Sequence, residues 1–323
     1  MTSHRARIEA CLSGSQIDRP PAALWRHFPV DDQTPQGLAQ AILVFQQTFD
    51  FDLVKVTPAS SYCLKDWGAQ DIWRGHSEGT REYTHRVIQD PNDWAQLPLL
   101  NPRHGFLAAE LETLRLLVQE LGPDTPIIQT IFSPLSQAKN LVGGSELLVH
   151  LRRYPDLLHA GLKVIAESTR RYIEALHKIG IDGVFYAVQH AQYGLLSEQE
   201  YLEFGKTYDL RVLEPAADFW LKLLHLHGKA VMFDLFTGYP VNIINWHDRE
   251  TYPSLSLGQT RYPGIVCGGV SQETLVYGTP DQVRSQALEA IQSTNGERMI
   301  LGTGCVTPVI APFGNILALR QSV

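Results

Sequence analysis

At 323 residues, 44% apolar and 19% charged, the chain has enough apolar side chains for a large core and too few charges for a long disordered tail. A formal net charge of −7 gives no electrostatic footprint for nucleic acid or an anionic membrane, so a small-molecule partner is favoured. The opening MTSHRARIEACLSG lacks the apolar run of a secretory signal, and no later segment approaches the roughly 18 apolar residues of a membrane span. A cytoplasmic location is therefore expected, with Cys11, Cys63, Cys267 and Cys305 as reduced thiols rather than a disulfide framework.

In chain order, short β-like runs alternate with longer helical ones, the pattern of βαβ units around a parallel sheet. Strands are predicted at residues 22–26, 52–57, 126–132, 183–188, 221–227, 241–246, 264–269 and 299–304. Eight such runs fit a closed α/β barrel, the (β/α)8 TIM barrel, better than an open sheet. After the second run, residues 71–89 read as a polar two-stranded hairpin over one rim, with Gly75 and Gly79 in its turn. Leu107, Leu111, Leu114, Val118 and Leu121 then form one apolar helical stripe. Leu158, Leu162, Ile165, Tyr172 and Leu176 repeat that spacing, and Gly180 follows where a helix stop belongs. Ser197 with Glu200, and Thr279 with Gln282 behind Pro280, read as capping boxes that start further helices. No fixed-period repeat or linker-like run divides the chain, so residues 1–323 are expected to form one domain.

In such a barrel the chemistry collects where strands run into helices. The strand ends supply Trp25-Arg26-His27, then Tyr186 with Gln189 and His190, then His225-Leu226-His227, Asn245-Trp246-His247-Asp248, and Gly304-Cys305. Residues two apart on a strand point the same way, so His225 and His227 can converge on one ion. With Cys305 they make a His2Cys set whose open fourth position is the layout of a catalytic zinc. The competing reading makes one histidine a core residue bonded to a carbonyl and Cys305 a small buried apolar side chain. Arg26 and His27 could hold a substrate carboxylate, and Tyr186, Gln189 and His190 could wall a pocket. Asp234 could act as a general acid or cap a helix, and Asp248 could orient the His247 ring only if the chain turns there. No glycine-rich phosphate cradle, G-x-S-x-G elbow or H-E-x-x-H helix is present.

Three segments, in order, resemble the uroporphyrinogen decarboxylase superfamily, which also contains zinc-dependent corrinoid methyltransferases and cobalamin-independent methionine synthase. They are Arg19-Pro20 before the first strand, Gly183-Val184-Phe185-Tyr186 with the later Leu195-to-Tyr201 segment, and the closing Ile300-Leu301-Gly302-Thr303-Gly304-Cys305. True decarboxylases carry an arginine-rich first motif, then an Asp, a Tyr and a late His. This chain has a single arginine at Arg26, no Asp in Thr57-Pro58-Ala59-Ser60, Asn140 about where the Tyr falls, and Cys305 in place of the His. The methyltransferase branch holds zinc by His-x-Cys and a later Cys, which matches His225, His227 and Cys305 except that His227 replaces a thiolate. Imidazole for thiolate makes the site more positive and favours an anionic ligand. The resemblance implies zinc-assisted one-carbon transfer from a corrinoid, on a partner protein, to a thiol-type acceptor, and it suggests a homodimer. Two alternatives stay open: decarboxylation of a tetrapyrrole or other carboxylate with Arg26 and His27 gripping acid groups, and a barrel that only binds a ligand.

Overall fold

The computed structural model describes residues 2–323. Its strands are β1 (Val54–Val56), β2 (Gln70–Ile72), β3 (Glu82–His85), β4 (Ile127–Phe132), β5 (Gly183–Val188), β6 (Leu221–Leu226), β7 (Ile243–Trp246), β8 (Ile265–Val270) and β9 (Met299–Thr303). Seven of them form one curled parallel sheet in the order β1-β4-β5-β6-β7-β8-β9. Helices link successive strands, as parallel pairing requires.

The expectation of eight strands is corrected at the first one. Residues 22–26 form no ladder; Ala22 makes a single parallel bridge to Leu301. Ala23 N–H donates to the Leu301 carbonyl at 2.9 Å on one side, and Asp52 N–H donates to the Ala22 carbonyl at 2.8 Å on the other. The reason lies in the local sequence. Pro20 and Pro21 have no N–H to give, and Ala22 N–H is taken by the Asp52 side chain at 2.8 Å. Asp52 also accepts from Arg7 at 2.6 Å, and although burial opposes it, hydrogen bonds from His4 at 3.0 Å, Arg19 at 2.7 Å and the Ala22 N–H hold its carboxyl well below the ordinary range. This cluster fastens the first segment and the helix His4–Ser13 to the start of β1.

Period-two alternation divides the apolar residues into two cores. Trp25, Ile128, Phe185, Leu223, Ile243, Cys267 and Ile300 pack inside the curl, closed from below by Ile8 and Cys11 of the first helix. The opposite face of the same strands, including Val54, Val56, Ile131, Val184, Tyr186, Leu224, Ile244 and Trp246, packs against the helices. The helix Gly105–Leu121 buries Leu107, Leu111, Leu114 and Leu117, so the predicted stripe is its core face. The helix Pro155–Leu176 buries Leu158, Leu162, Ile165, Tyr172 and Leu176 likewise. Both predicted capping boxes form, Ser197 with Glu200 and Thr279 with Gln282.

The hairpin over the rim is also present, with β2 and β3 antiparallel. Gly79, at φ +78°, lies so close to His27 that a Cβ there would stand 2.5 Å from the His27 Cβ. Only glycine suits both that backbone and that approach. The turn is thereby pressed onto the mouth of the curl. All four cysteines are free and buried. Among the described residues no helix is long and apolar enough to cross a membrane.

Candidate metal centre

A cavity of about 570 Å³, counted to its open mouth, sits at the C-terminal ends of the strands. The same alternation decides what lines it. Trp25 and His27, Lys55 and Thr57, Thr130 and Phe132, Phe185, Ala187 and Gln189, and His225 and His227 all face it, with Cys305 beyond β9. Glu78 and Thr80 of the hairpin supply the upper wall.

Three of the lining residues, His225, His227 and Cys305, form a cluster with His247 whose four donor atoms all lie within 4.8 Å of one another. The Cys305 Sγ is 3.6 Å from His225 Nε2 and 3.6 Å from His227 Nδ1. A tetrahedral zinc with ordinary Zn–S and Zn–N bonds separates sulfur from nitrogen by about 3.6 Å. The spacing therefore fits that ion.

The tautomer of His225 is fixed by its neighbour. Asn245 Nδ2 donates to the Cys267 carbonyl at 2.8 Å and to the Thr303 carbonyl at 3.0 Å, so its Oδ1 faces the ring. His225 Nδ1–H donates to that oxygen at 2.6 Å, and the Nε2 lone pair is left pointing at Cys305. His247 Nε2 is buried without any partner, while its Nδ1 lies 3.4 Å from a Glu250 carboxylate oxygen. An unpartnered buried nitrogen at a cluster of other donors is what a ligand waiting for a cation looks like.

Burial keeps all three imidazoles neutral: His225 is pushed well below the ordinary value, and His227 and His247 down to about 4, each further opposed by neighbouring positive groups. Burial also pushes the Cys305 thiol up to about 12. Neutral imidazoles are ready ligands, and a thiol held protonated by its surroundings becomes a thiolate once a cation arrives.

The expected open fourth position is thus faced by a protein nitrogen. The strand β7 ends at Trp246, and the His247 carbonyl accepts from Glu250 N–H at 2.8 Å, so the chain turns there. Two residues beyond Asn245 and on the same inner face, the His247 ring joins the cluster, with its centroid 5.2 Å from that of His227. Asp248 does not orient it: its carboxylate accepts from Gly269 N–H at 3.3 Å, and burial pushes it up to about 7. Gly304 is demanded by the same approach, since a Cβ there would stand 2.6 Å from the His247 Cα.

Of the other residues singled out in the sequence, His27 and Gln189 line the cavity and Arg26, Tyr186, His190 and Asp234 do not. Arg26 lies between two inward residues and faces a separate crevice, stacked 5.3 Å over Phe28. Tyr186, between Phe185 and Ala187, points to the helix side and donates to buried Asp209 at 2.7 Å. His190 is buried beyond the lining with its Nδ1 unpartnered, and its pKa is pushed down to about 4 by burial and nearby Lys139 and His227. Asp234 sits in the short helix Phe233–Phe236 and pairs with Arg261 at 3.0 Å on the surface. Two charged cavity residues, Lys55 and Glu78, are not singled out by the sequence. The signal for Lys55 was a lone charge in the apolar run Leu53-Val54-Lys55-Val56.

The family model described as Uroporphyrinogen decarboxylase (URO-D) matches residues 3–323. The chain belongs to the uroporphyrinogen decarboxylase family. Within it, the chain is similar to a protein named methylcobamide:CoM methyltransferase MtaA from Methanosarcina barkeri, 22% identical over 98% of this chain and 96% of that one. It is also similar to a uroporphyrinogen decarboxylase from Tolumonas auensis, 27% identical over 56% of this chain and 51% of that one. A solved structure described as a methyltransferase from Methanosarcina mazei superposes with a TM-score of 0.86, at 19% identity, over 100% of this chain and 98% of that one. A B12-independent methionine synthase from Shewanella superposes with a TM-score of 0.60, at 13% identity, over 94% of this chain and 91% of that one. Both have this fold. Family members include methyltransferases and decarboxylases, and membership places the chain among enzymes.

Proposed function

We propose that this protein transfers a methyl group from a corrinoid to a small thiol acceptor, with zinc held by His225, His227, His247 and Cys305. The observation that carries the reading is the convergence of four donor atoms within 4.8 Å, three of them from residues lining an open cavity. When bound, zinc would lower the pKa of the acceptor thiol so that it can act as a nucleophile near neutral pH. The acceptor sulfur gives a lone pair to the methyl carbon, the cobalt–carbon bond breaks with both its electrons kept by cobalt, and the thiol proton leaves to solvent.

The protein's own groups do the rest. Asn245 holds the His225 ring in one tautomer, and Gly304 lets Cys305 approach His247. Phe132, Phe185 and Trp25 give the cavity apolar walls that favour a small substrate over bulk water. One thiolate among three neutral imidazoles leaves a zinc site with net positive charge, which favours an anionic fifth ligand. The corrinoid would be presented at the mouth by a partner protein. The segment of residues 22–26 is read as the eighth stave that closes the barrel, and residues 1–323 as one domain. Decarboxylation is the weaker reading, because Arg26, proposed to grip its acid groups, faces another crevice.

Zinc-loaded protein incubated with methylcob(III)alamin and 3-mercaptopropanoate tests this. Loss of the methylcobalamin absorbance together with S-methyl product in the mass spectrum is expected. Bound zinc with no thioether formed, from that acceptor or from 2-mercaptoethanesulfonate, would overturn it.

A further inference from the structure

The donor cluster lies well behind the mouth of its cavity. His225 is 4% exposed and Cys305 7%, so a bulky ligand reaches them only if a wall gives way. Most of the wall is fixed. His225 lies on β6, which pairs with β5 on one side and β7 on the other, and Cys305 follows β9, which pairs with β8. The segment after Cys305 is tied as well, since Thr307 N–H donates to the Trp25 carbonyl at 2.7 Å. The exception is the tip of the rim hairpin between β2 and β3, residues 74–80, which supplies Glu78 and Thr80 to the upper wall.

That tip is a small body held at few points. Inside it, Gly79 N–H donates to the His76 carbonyl at 2.8 Å and Glu78 N–H to His76 Nδ1 at 3.2 Å, so the turn keeps its own shape. Arg74, Gly75, His76 and Ser77 are exposed. Onto the barrel the tip makes one backbone hydrogen bond, from Val309 N–H to the Ser77 carbonyl at 2.7 Å, and the close contact of Gly79 with His27. The Glu78 carboxylate comes within 3.4 Å of Gln272 Nε2, which lies closer, at 2.5 Å, to the Val306 carbonyl. The base of the hairpin is anchored differently. Buried Arg81 pairs with the buried carboxylates of Asp32 and Asp71, and Asp71 accepts from Ser61 at 2.5 Å. Gly75, at φ +84°, lets the chain pivot where base passes into tip. A segment with so few contacts opens at a small fraction of the free energy of global unfolding.

We propose that residues 74–80 form a lid over the donor cluster, closed in this conformation and released when the Ser77–Val309 and Gly79–His27 contacts part while the Arg81 base holds. The lid goes beyond the transfer reading, because it governs access to the cluster whatever is bound there. Closed, it screens the donors from bulk water; open, it admits a ligand too large for the present mouth. Glu78 rides on the tip, so opening also withdraws the one carboxylate among the residues that line the cavity.

Access of a reagent to Cys305 tests this on the metal-free full chain with no corrinoid present, so that failure of the lid and failure of methyl transfer are told apart. The labelling rate of each cysteine with N-ethylmaleimide is followed by peptide mass spectrometry. Ser77→Cys combined with Val309→Cys, at backbones that are hydrogen-bonded neighbours, fastens the tip shut as a disulfide. Gly79→Ala wedges it open, because the added Cβ would stand 2.5 Å from the His27 Cβ. The oxidised pair is expected to slow Cys305 labelling at least about tenfold against wild type, and reduction to restore it. Gly79→Ala is expected to speed Cys305 labelling about tenfold, with Cys11 and Cys267 in the inner core unchanged. Labelling of Cys305 at the wild-type rate in the oxidised pair, or labelling that Gly79→Ala speeds no more than that of Cys11 and Cys267, would overturn the assignment. If one variant does not fold or does not cross-link, the other decides alone.

Discussion

His225 and Asn245 stand side by side on paired strands, with the ring Nδ1 2.6 Å from the amide Oδ1. The amide cannot turn over, because both its N–H groups are spent on the carbonyls of Cys267 and Thr303. One buried asparagine therefore ties three strand ends together and sets the direction of the lone pair on His225.

Replacing that asparagine tests the arrangement. Asn245→Leu leaves the two carbonyls and the His225 Nδ1 proton without partners in a buried place, which costs about 1–3 kcal/mol per group left unpaired. Zinc affinity should fall about tenfold to a hundredfold, as it does when groups that orient metal ligands are lost. A competition titration against a chromophoric chelator measures it. Unchanged affinity in a folded variant would show that the ring needs no such support.

Gly304 gives a steric test of the same site from the opposite side. Its added Cβ would meet His247 Cα at 2.6 Å and the Trp246 carbonyl oxygen at 2.7 Å, so Gly304→Ala must push β9 and the β7 turn apart. A loss of about 1–3 kcal/mol in urea unfolding is expected, with zinc content reduced more than secondary structure. Wild-type stability and full zinc content would contradict the packing described.

Asp209 offers a pH-dependent prediction outside the cavity. It is fully buried and accepts from Tyr186 at 2.7 Å, Tyr201 at 2.5 Å and Tyr239 at 3.1 Å, yet burial still pushes its carboxyl up from 3.8 to about 6. A raised carboxyl favours the protonated folded state, so its stabilising contribution is complete below about pH 4 and lost as pH rises to about 6. The unfolding free energy of wild type minus that of Asp209→Asn should fall by about 3 kcal/mol between pH 3.5 and pH 7. Urea titrations at several pH values measure the difference, and a constant value across that range would show that the three hydroxyls fully offset the burial.

The parallel architecture and the His225, His227 and Cys305 convergence were legible because both rest on the two-residue period of a strand and on where strand ends meet. The same rule, carried one step further, separates His27 from Arg26 and Phe185 from Tyr186. Arg26 and Tyr186 belong to strand ends that supply the site, but their own positions in the alternation turn them away from the cavity. His247 obeys the same rule: it lies two residues beyond Asn245, which meets His225, so alternation alone puts it on the inner face although the strand ends at Trp246. The first strand is not legible in the sequence, because an apolar run from residue 22 does not reveal that Asp52 takes the Ala22 N–H.

X-ray absorption at the zinc edge, on protein loaded with one equivalent of zinc, tests the metal centre most directly. Sulfur scattering from one ligand at about 2.3 Å and nitrogen from three at about 2.0 Å is expected, with the sulfur shell lost in Cys305→Ala. A spectrum with no sulfur in the wild-type shell, or with only oxygen and nitrogen ligands unaffected by the Cys305→Ala change, would contradict it.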